Sequence, residues 1–266
     1  MKHAILILAH GNVNYLSALI DFFDNDFYIY IHLDKKSLFS CSELEEISQK
    51  KNVVYVSRKY KINWGGHNLL KAELLLLERA CKDNYADYYH FISGQDIPIA
   101  SIEEFKLFFE RNKGKEFLEY AQLPRKEWDK GTLNRFEFYH FYDYVNHRTK
   151  RGRKIIGKAI SFQKRFHIRR KLPSQFPALY GGSAWFSLSK EAVNYVVDFT
   201  NTAPAFLKRL RCTFAPDETY ILTILVNSPL RPNIDNNNLR YIVWEPRYNS
   251  LPAILDLKDY YAILES

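Results

Sequence analysis

Along the first half of the chain, short apolar runs alternate with longer stretches of helical periodicity. His3 to His10 ("HAILILAH") is an apolar run of strand length, and Asn14 to Phe23 reads as a helix. Phe27 to Asp34 ("FYIYIHLD") alternates with period two and is rich in β-formers, which predicts a strand. Ser42 to Lys50 predicts a surface helix, with Ser42 three residues ahead of Glu45 as its cap. Asn52 to Ser57 follows as a strand, Gly65 to Cys81 as a long amphipathic helix, Tyr88 to Ser93 as a fourth strand and Ser101 to Asn112 as a helix. This alternation predicts an α/β fold: a mostly parallel sheet with helices on both faces.

The second half is more mixed. Strands are expected at Glu116 to Leu123 and Arg135 to Tyr144, and a glycine-led strand at Tyr180 to Ser189. A helix over Lys190 to Thr200 and a last strand at Leu239 to Trp244 complete the pattern. No repeat or linker divides the chain, so residues 1–266 are read as one domain. In parallel α/β sheets ligands sit beyond the carboxyl ends of the strands. Those ends carry His10, Asp34, Arg58 and the turn Ser93 to Asp96.

Composition narrows the class. A chain of 266 residues, 47% apolar, can bury a sizeable core. Its 19 Tyr, 19 Phe and 4 Trp serve either as stacking platforms for sugars or bases, or as a Tyr-rich core and surface. Cys41, Cys81 and Cys212 are odd in number and far apart, so neither a disulfide framework nor a zinc site is read from them, and a reducing compartment is expected. The run Ala4 to Ala9 is far shorter than the roughly 20 residues of a membrane span and has no signal-peptide pattern. A cytoplasmic protein is therefore expected, peripheral at most on a membrane.

The net charge of +8 is local. Eleven Lys and Arg and no Asp or Glu fall between Arg148 and Lys171, so the rest of the chain is net negative. Ile155, Ala159, Phe162 and Phe166 share one helical face within that segment. A cationic amphipathic helix over 148–171 suits an anionic membrane surface. A simply solvated helix is the plainer reading. Nucleic acid is not expected, since no reading motif accompanies the basic residues.

The candidate chemistry is carried by short motifs. In "HLDKKS", Asp34 follows a strand and can accept hydrogen bonds from a base or ribose. In "NWGG", Trp64 can stack on a flat ring, and Gly65 and Gly66 allow close backbone approach. In "FISGQDIPIA", Gly94 is expected to permit an unusual backbone angle, with Asp96 projecting from the turn. Many nucleotide-sugar transferases place an Asp-x-Asp metal site there, and here Asp96 stands alone. The one literal Asp-x-Asp, Asp24-Asn25-Asp26, lies in a helix-to-strand turn, where such residues are common for local reasons. No HExxH, Walker loop, GxGxxG or nucleophile elbow occurs. In "FAPDETYILTIL", Pro216 fits the first position of a helix, with Asp217 and Glu218 in its first turn. They start a helix, or one of them takes a proton from a substrate.

Taken in order, "IHLDKKS", "VVYVSR", "WGG", "FISGQDIPI", "GGSAWFSLSKEAVNYV", "APDETYILTIL" and "LRYIVW" resemble the core-2/I-branching N-acetylglucosaminyltransferase and xylosyltransferase family, glycosyltransferase family 14, over roughly Lys2 to Trp244. The resemblance implies a GT-A-like fold and an inverting transfer of a sugar, GlcNAc or xylose, from a UDP-sugar without a divalent metal. It implies Glu218 as catalytic base. On the donor side it implies Asp34 at the nucleotide, Trp64 beside the uracil and Trp244 at the sugar; His10, Arg58, Gly94 and Asp96, from their place at the strand ends, and Ser183 are assigned to that side as well. It implies Glu119 at the acceptor, and Trp185 and Asp217 are assigned to that side as further candidates. Family members usually continue into a Phe-Ala-x-Lys-Phe segment whose Lys contacts the diphosphate, and this sequence lacks it. Arg240, Arg247 and Lys258 are available substitutes, and Arg247 is assigned the place. The membrane anchor and disulfides of animal members are absent, which suggests a bacterial enzyme of surface-glycan synthesis acting on a glycan or lipid-linked acceptor. A non-catalytic nucleotide- or glycan-binding module is the alternative.

Overall fold

The alternating apolar runs become the strands of one sheet with a core on each side. The computed structural model describes residues 1–128 and 132–266. Its first half is β1 (His3–Ala9), α1 (Val13–Phe22), β2 (Phe27–Leu33), α2 (Cys41–Gln49), β3 (Val53–Ser57), α3 (His67–Asp83), β4 (Tyr88–Ser93) and α4 (Ile102–Arg111). There follow β5 (Glu116–Gln122), α5 (Asn134–Glu137), α6 (Lys150–Arg165), β6 (Tyr180–Ser189), α7 (Lys190–Thr202), α8 (Pro204–Arg209), α9 (Tyr220–Val226), β7 (Ile234–Asp235) and α10 (Tyr260–Leu264). Among the described residues the sheet has seven strands, in the order β3-β2-β1-β4-β6-β5-β7. Only β6 runs against its neighbours β4 and β5; the other pairings are parallel. This is the mixed, mostly parallel sheet of the expected GT-A-like class.

The period of two sorts side chains between the faces. Ile5 and Ile7 of β1 and Ile29 and Ile31 of β2 pack with Leu16 and Ile20 of α1 and Ile47 of α2. Leu6 and Tyr30 point the other way, into a larger core with Leu70, Leu74 and Leu77 of α3, Val193 and Val196 of α7, and Ile221 and Ile224 of α9. Because β6 is antiparallel, its first residues lie at the same sheet edge as the last residues of β1 to β4. Among the described residues, no helix is long and apolar enough to cross a membrane.

Several local expectations are corrected. Helix α2 is capped by Ser40 with Glu43, one pair ahead of the expected Ser42 and Glu45. Residues 135–144 form no strand: α5 takes the first of them and the rest run irregularly, linked to residues 212–214 by single bonds such as His140 N–H to Cys212 O at 2.8 Å. The last strand is the short β7, beside Glu116 and Phe117 of β5, and residues 239–244 are irregular. The segment expected as one basic helix over 148–171 is helical over Lys150–Arg165 only, where Thr149 caps its start.

Candidate active site

The Pro-Asp-Glu stretch precedes its helix rather than opening it. Helix α9 begins at Tyr220, and Pro216 to Thr219 form a turn closed by Tyr220 N–H to Pro216 O at 2.9 Å. The helix-start account of Asp217 and Glu218 therefore fails. Ala215 takes the left-handed φ of 46° as the chain enters this turn. Two backbone bonds dock it at the sheet edge. Gly182 N–H of β6 donates to Glu218 O at 3.0 Å, and Ala215 N–H donates to Gly65 O at 2.8 Å. The glycines are needed for this. A Cβ on Gly182 would meet Glu119 O at 2.0 Å, and one on Gly65, where φ is +73°, would meet the Phe214 ring at 2.6 Å.

The two acids meet opposite environments. Glu218 keeps 29% of its side chain exposed and pairs with Arg135 at 3.2 Å. Asp217 is buried, its Oδ1 without a hydrogen-bond partner, and its carboxyl is pushed up to about 8 by burial first and by the charge of Glu218 second. Behind it, Glu73 of α3 is wholly buried with neither oxygen hydrogen-bonded, and burial followed by Asp217 pushes its carboxyl well up. Asp217, expected at the acceptor, thus lies beneath the surface as a mostly protonated acid near neutral pH. Neighbouring carboxyls whose environments separate them in this way can divide acid and base roles.

Arg135, which sequence reasoning missed, organises this corner. Its guanidinium lies 3.9 Å over the Trp128 ring and 5.2 Å from the Phe214 ring. Such stacking suits the flat, weakly hydrated guanidinium. Gly181 makes room for Trp128, since a Cβ there would meet the indole at 2.3 Å. Trp64 packs edge-on against Phe214 with ring centres 5.3 Å apart and stays 43% exposed. Trp64, Phe214, Arg135 and Glu218 thus form a continuous set of contacts. The one sequence signal for Arg135 was its place in an aromatic-rich run, and that run was read as a strand.

The other candidates fall into two adjoining groups. Asp34 is buried after β2; its Oδ1 accepts from Lys36 N–H at 3.0 Å and Ile62 N–H at 3.1 Å, with Lys36 Nζ at 3.6 Å from Oδ2. Arg58 donates to Ser37 O at 2.7 Å. Asn63, beside Trp64, takes a bond from Lys36 Nζ and donates to Tyr142 O. At the tip of β4, Gly94 does not take a positive φ, contrary to expectation. It is needed for closeness, since a Cβ would stand 2.6 Å from that of Ala9. Asp96 does not project: it folds back to accept from Ser93 N–H and Oγ–H at 3.0 and 2.9 Å. His10 is exposed beside this turn.

The acceptor-side candidates are spread more widely. Glu119 sits at a register shift in β5 and accepts from Asn238 Nδ2 at 3.0 Å, its backbone against Gly182. Ser183 Oγ accepts from Trp185 N–H at 3.2 Å, and Trp185 packs on Phe91, 5.5 Å between ring centres. Two placements part from expectation. Arg247 donates through Nη1 to both carboxylate oxygens of Asp259, at 2.7 and 3.0 Å, a charge-assisted pair that draws it towards the C-terminal segment rather than the strand tips. Arg240 instead reaches β4, donating to Phe91 O at 3.2 Å, with Asp96 as its charge neighbour. Trp244 is 68% exposed on irregular backbone rather than at a strand end. Asp24 and Asp26 both bind Lys106 at 2.5 Å, at the sheet edge opposite the strand tips.

A model of the family described as Core-2/I-Branching enzyme matches residues 4–261. Xylosyltransferase 2 of Rattus norvegicus is 28% identical over 255 residues, covering 92% of this chain and 27% of that protein. Xylosyltransferase 1 of the same organism is 28% identical over 257 residues, covering 92% and 28%. The chain spans about a quarter of the length of these curated relatives. The 1–349 form of S. aureus TarS covers 88% of this chain and 74% of its own, at 11% identity and a TM-score of 0.35.

Proposed function

The chain belongs to the Core-2/I-Branching enzyme family, and on that premise we propose that it is an inverting glycosyltransferase that uses a UDP-sugar, with GlcNAc or xylose as the sugar. The acceptor is a hydroxyl of a glycan, free or lipid-linked, in cell-surface polysaccharide or lipopolysaccharide synthesis. One observation carries the reading. The family's Pro-Asp-Glu turn docks on β6 at the strand-tip edge, and of its two acids only Glu218 reaches solvent while Asp217 is buried.

Glu218 is the base in this proposal. It accepts the proton of the acceptor hydroxyl as that oxygen attacks the anomeric carbon from the face opposite the diphosphate. The bond from that carbon to the β-phosphate oxygen breaks, and UDP leaves with the electron pair. One displacement inverts the centre. General-base help of this kind is worth about 10²–10⁴-fold. Arg135 holds Glu218 at 3.2 Å until an acceptor competes for the carboxylate. The protonated Asp217 adds no second charge beneath it.

Asp34 and Trp64 line the edge proposed for the nucleotide, Asp34 by holding the loop through Ile62 N–H and Trp64 by its open ring face. We assign the charge on the leaving diphosphate to protein cations at the strand tips, in place of Arg247, and to no divalent metal; Arg240 is already held by the carbonyls of Asn238, Leu239 and Phe91. Cations preorganised at such a charge lower the barrier without reorganising.

The test is transfer from radiolabelled UDP-GlcNAc and UDP-xylose, with and without EDTA. Glu218→Gln should keep UDP binding and lose about 10²–10⁴-fold in kcat, and EDTA should leave wild-type turnover unchanged. A Glu218→Gln variant with wild-type turnover would refute the base. Strict dependence on Mn²⁺ would refute the metal-free assignment. Tight UDP binding without turnover of either donor, in the full-length protein too, would point to the binding module.

A further inference from the structure

Helix α6 does not bury the apolar stripe that its sequence displays. It docks on the body through Gly152, Ile156 and Gln163, whose spacing of four and seven marks a different face. The Gln163 side chain clamps it there, accepting from Tyr139 N–H at 2.8 Å and donating to Tyr139 O at 3.0 Å. A Cβ on Gly152 would meet Asn146 O at 1.9 Å, so this contact is close. The stripe Ile155, Phe162 and Phe166 is left outside, at 44, 56 and 58% exposure, and the two phenyl rings pack together 4.6 Å apart. Beside it Arg151, Lys158 and Arg165 recur every seven residues and form a parallel exposed strip.

We infer that this outward face of α6 is a docking surface for an anionic lipid bilayer. Large apolar side chains left in water beside cations, on a helix held parallel to the surface, suit insertion at the level of the headgroups. The charge complementarity is one-sided: residues 148–171 contain no carboxylate. Each Lys or Arg near an anionic leaflet adds to binding, and the field decays within a Debye length. A second copy of the chain would bring the same cations against themselves. The segment entering α6 also places His147 over Trp64, ring centres 6.1 Å apart, so the docked helix starts beside the candidate site. The inference stands apart from the transferase reading.

The experiment is co-sedimentation with vesicles of phosphatidylcholine alone and of phosphatidylcholine and phosphatidylglycerol in equal parts. Wild type should bind the mixed vesicles, bind the neutral ones at least about ten-fold more weakly, and release in high salt. The double variant Phe162→Ser/Phe166→Ser and the triple variant Arg151→Glu/Lys158→Glu/Arg165→Glu should each lose at least about ten-fold in binding. These side chains are exposed, so circular dichroism and Tm should stay at wild-type values, and donor hydrolysis in solution should be unchanged. Equal binding to both vesicle types, or full binding by the Phe162→Ser/Phe166→Ser variant, would overturn the inference. So would a wild-type dimer that this variant dissociates, or duplex DNA or RNA competing fully with the vesicles. Vesicle binding without sugar transfer would remove only the transferase reading.

Discussion

Two regions of the molecule are held together by different means. In residues 1–112, strands pair through backbone ladders and helices pack by apolar faces. Three of the four helix starts there are closed by the neighbouring side chains of Asn12, Ser40 and Ser101, and α3 is the exception. The joint between residues 136–171 and 209–214 rests largely on a few polar side chains. The Arg170 guanidinium donates to the carbonyls of Phe138, Cys212, Arg209 and Arg211 and to Thr213 Oγ. Arg209 donates to the carbonyls of Phe136, Arg170 and Lys171. This joint carries Phe214 and, with it, the wall of the Glu218 corner. A ladder spreads its load over many equivalent bonds, and a staple concentrates it in one residue. The frame should therefore tolerate single changes that the site region does not.

Opposite ends of the pH scale should separate the two regions most strongly. His3, His32 and His67 are pushed down to about 4, chiefly by burial, and His90 is pushed down by burial as well. All four lie in the first region. The unfolded chain takes up protons below about 6.5 that the folded chain refuses, so stability falls as pH drops from there towards 4. At pH 5 this amounts to roughly 1–2 kcal/mol for each of His3, His32 and His67. Asp217 has the opposite sign. Its folded carboxyl keeps a proton that the unfolded one releases near 4, so its contribution is complete below about 4 and is lost as pH rises to about 8. Urea unfolding from pH 5 to 9 should show both slopes, and Asp217→Asn should steepen the rise below about 6.5 and reduce the fall from there to about 8, to which Glu73 also contributes. An unchanged alkaline slope in that variant would contradict the assignment.

The staple is tested next. Arg170→Ala leaves several carbonyls without their donor and should cost about 3 kcal/mol or more. Ser40→Ala removes one local cap and should cost about 1 kcal/mol. Equal shifts in the urea midpoint for the two variants would erase the distinction between ladder and staple. The smallest effect is expected at Gly157 of α6, where an added Cβ meets nothing within 4 Å. Gly157→Ala should raise stability by about 0.5–1 kcal/mol through helix propensity alone. A loss of stability there would show that the outer face of α6 is not free.

The frame was legible because its signals are local. The period of two in Phe27–Leu33 and the apolar faces of α1 and α3 each need only neighbouring residues to be read. The Arg135 to Tyr144 run was misread for the same reason. Its aromatic residues have strand propensity and even bury with period two, Phe136, Phe138 and Tyr142 inward and Tyr139 and Phe141 outward, but no strand of the sheet pairs with them. Propensity was overruled by docking against residues 209–214. Asp217 and Glu218 were singled out together, and nothing local separates their roles. Their different burial comes from Gly182, Arg135 and Glu73, which are distant in sequence.

From its own order of residues the chain determined the strands and helices of the frame, the edge at which their tips converge, and a basic segment with an apolar stripe. Periodicity and capping act over a few residues, so the sequence carries them directly. Tertiary structure alone decided which acid faces solvent, which arginine meets it, and which face of α6 stays outside. It also supplied the start of α3, where Gly66 offers no cap and Asp143, far along the chain, accepts from Asn68 N–H at 2.9 Å. Each of these depends on how far a group lies from water and from charges brought beside it by the fold. Burial and distance are properties of the packed chain, and no short window of sequence contains them.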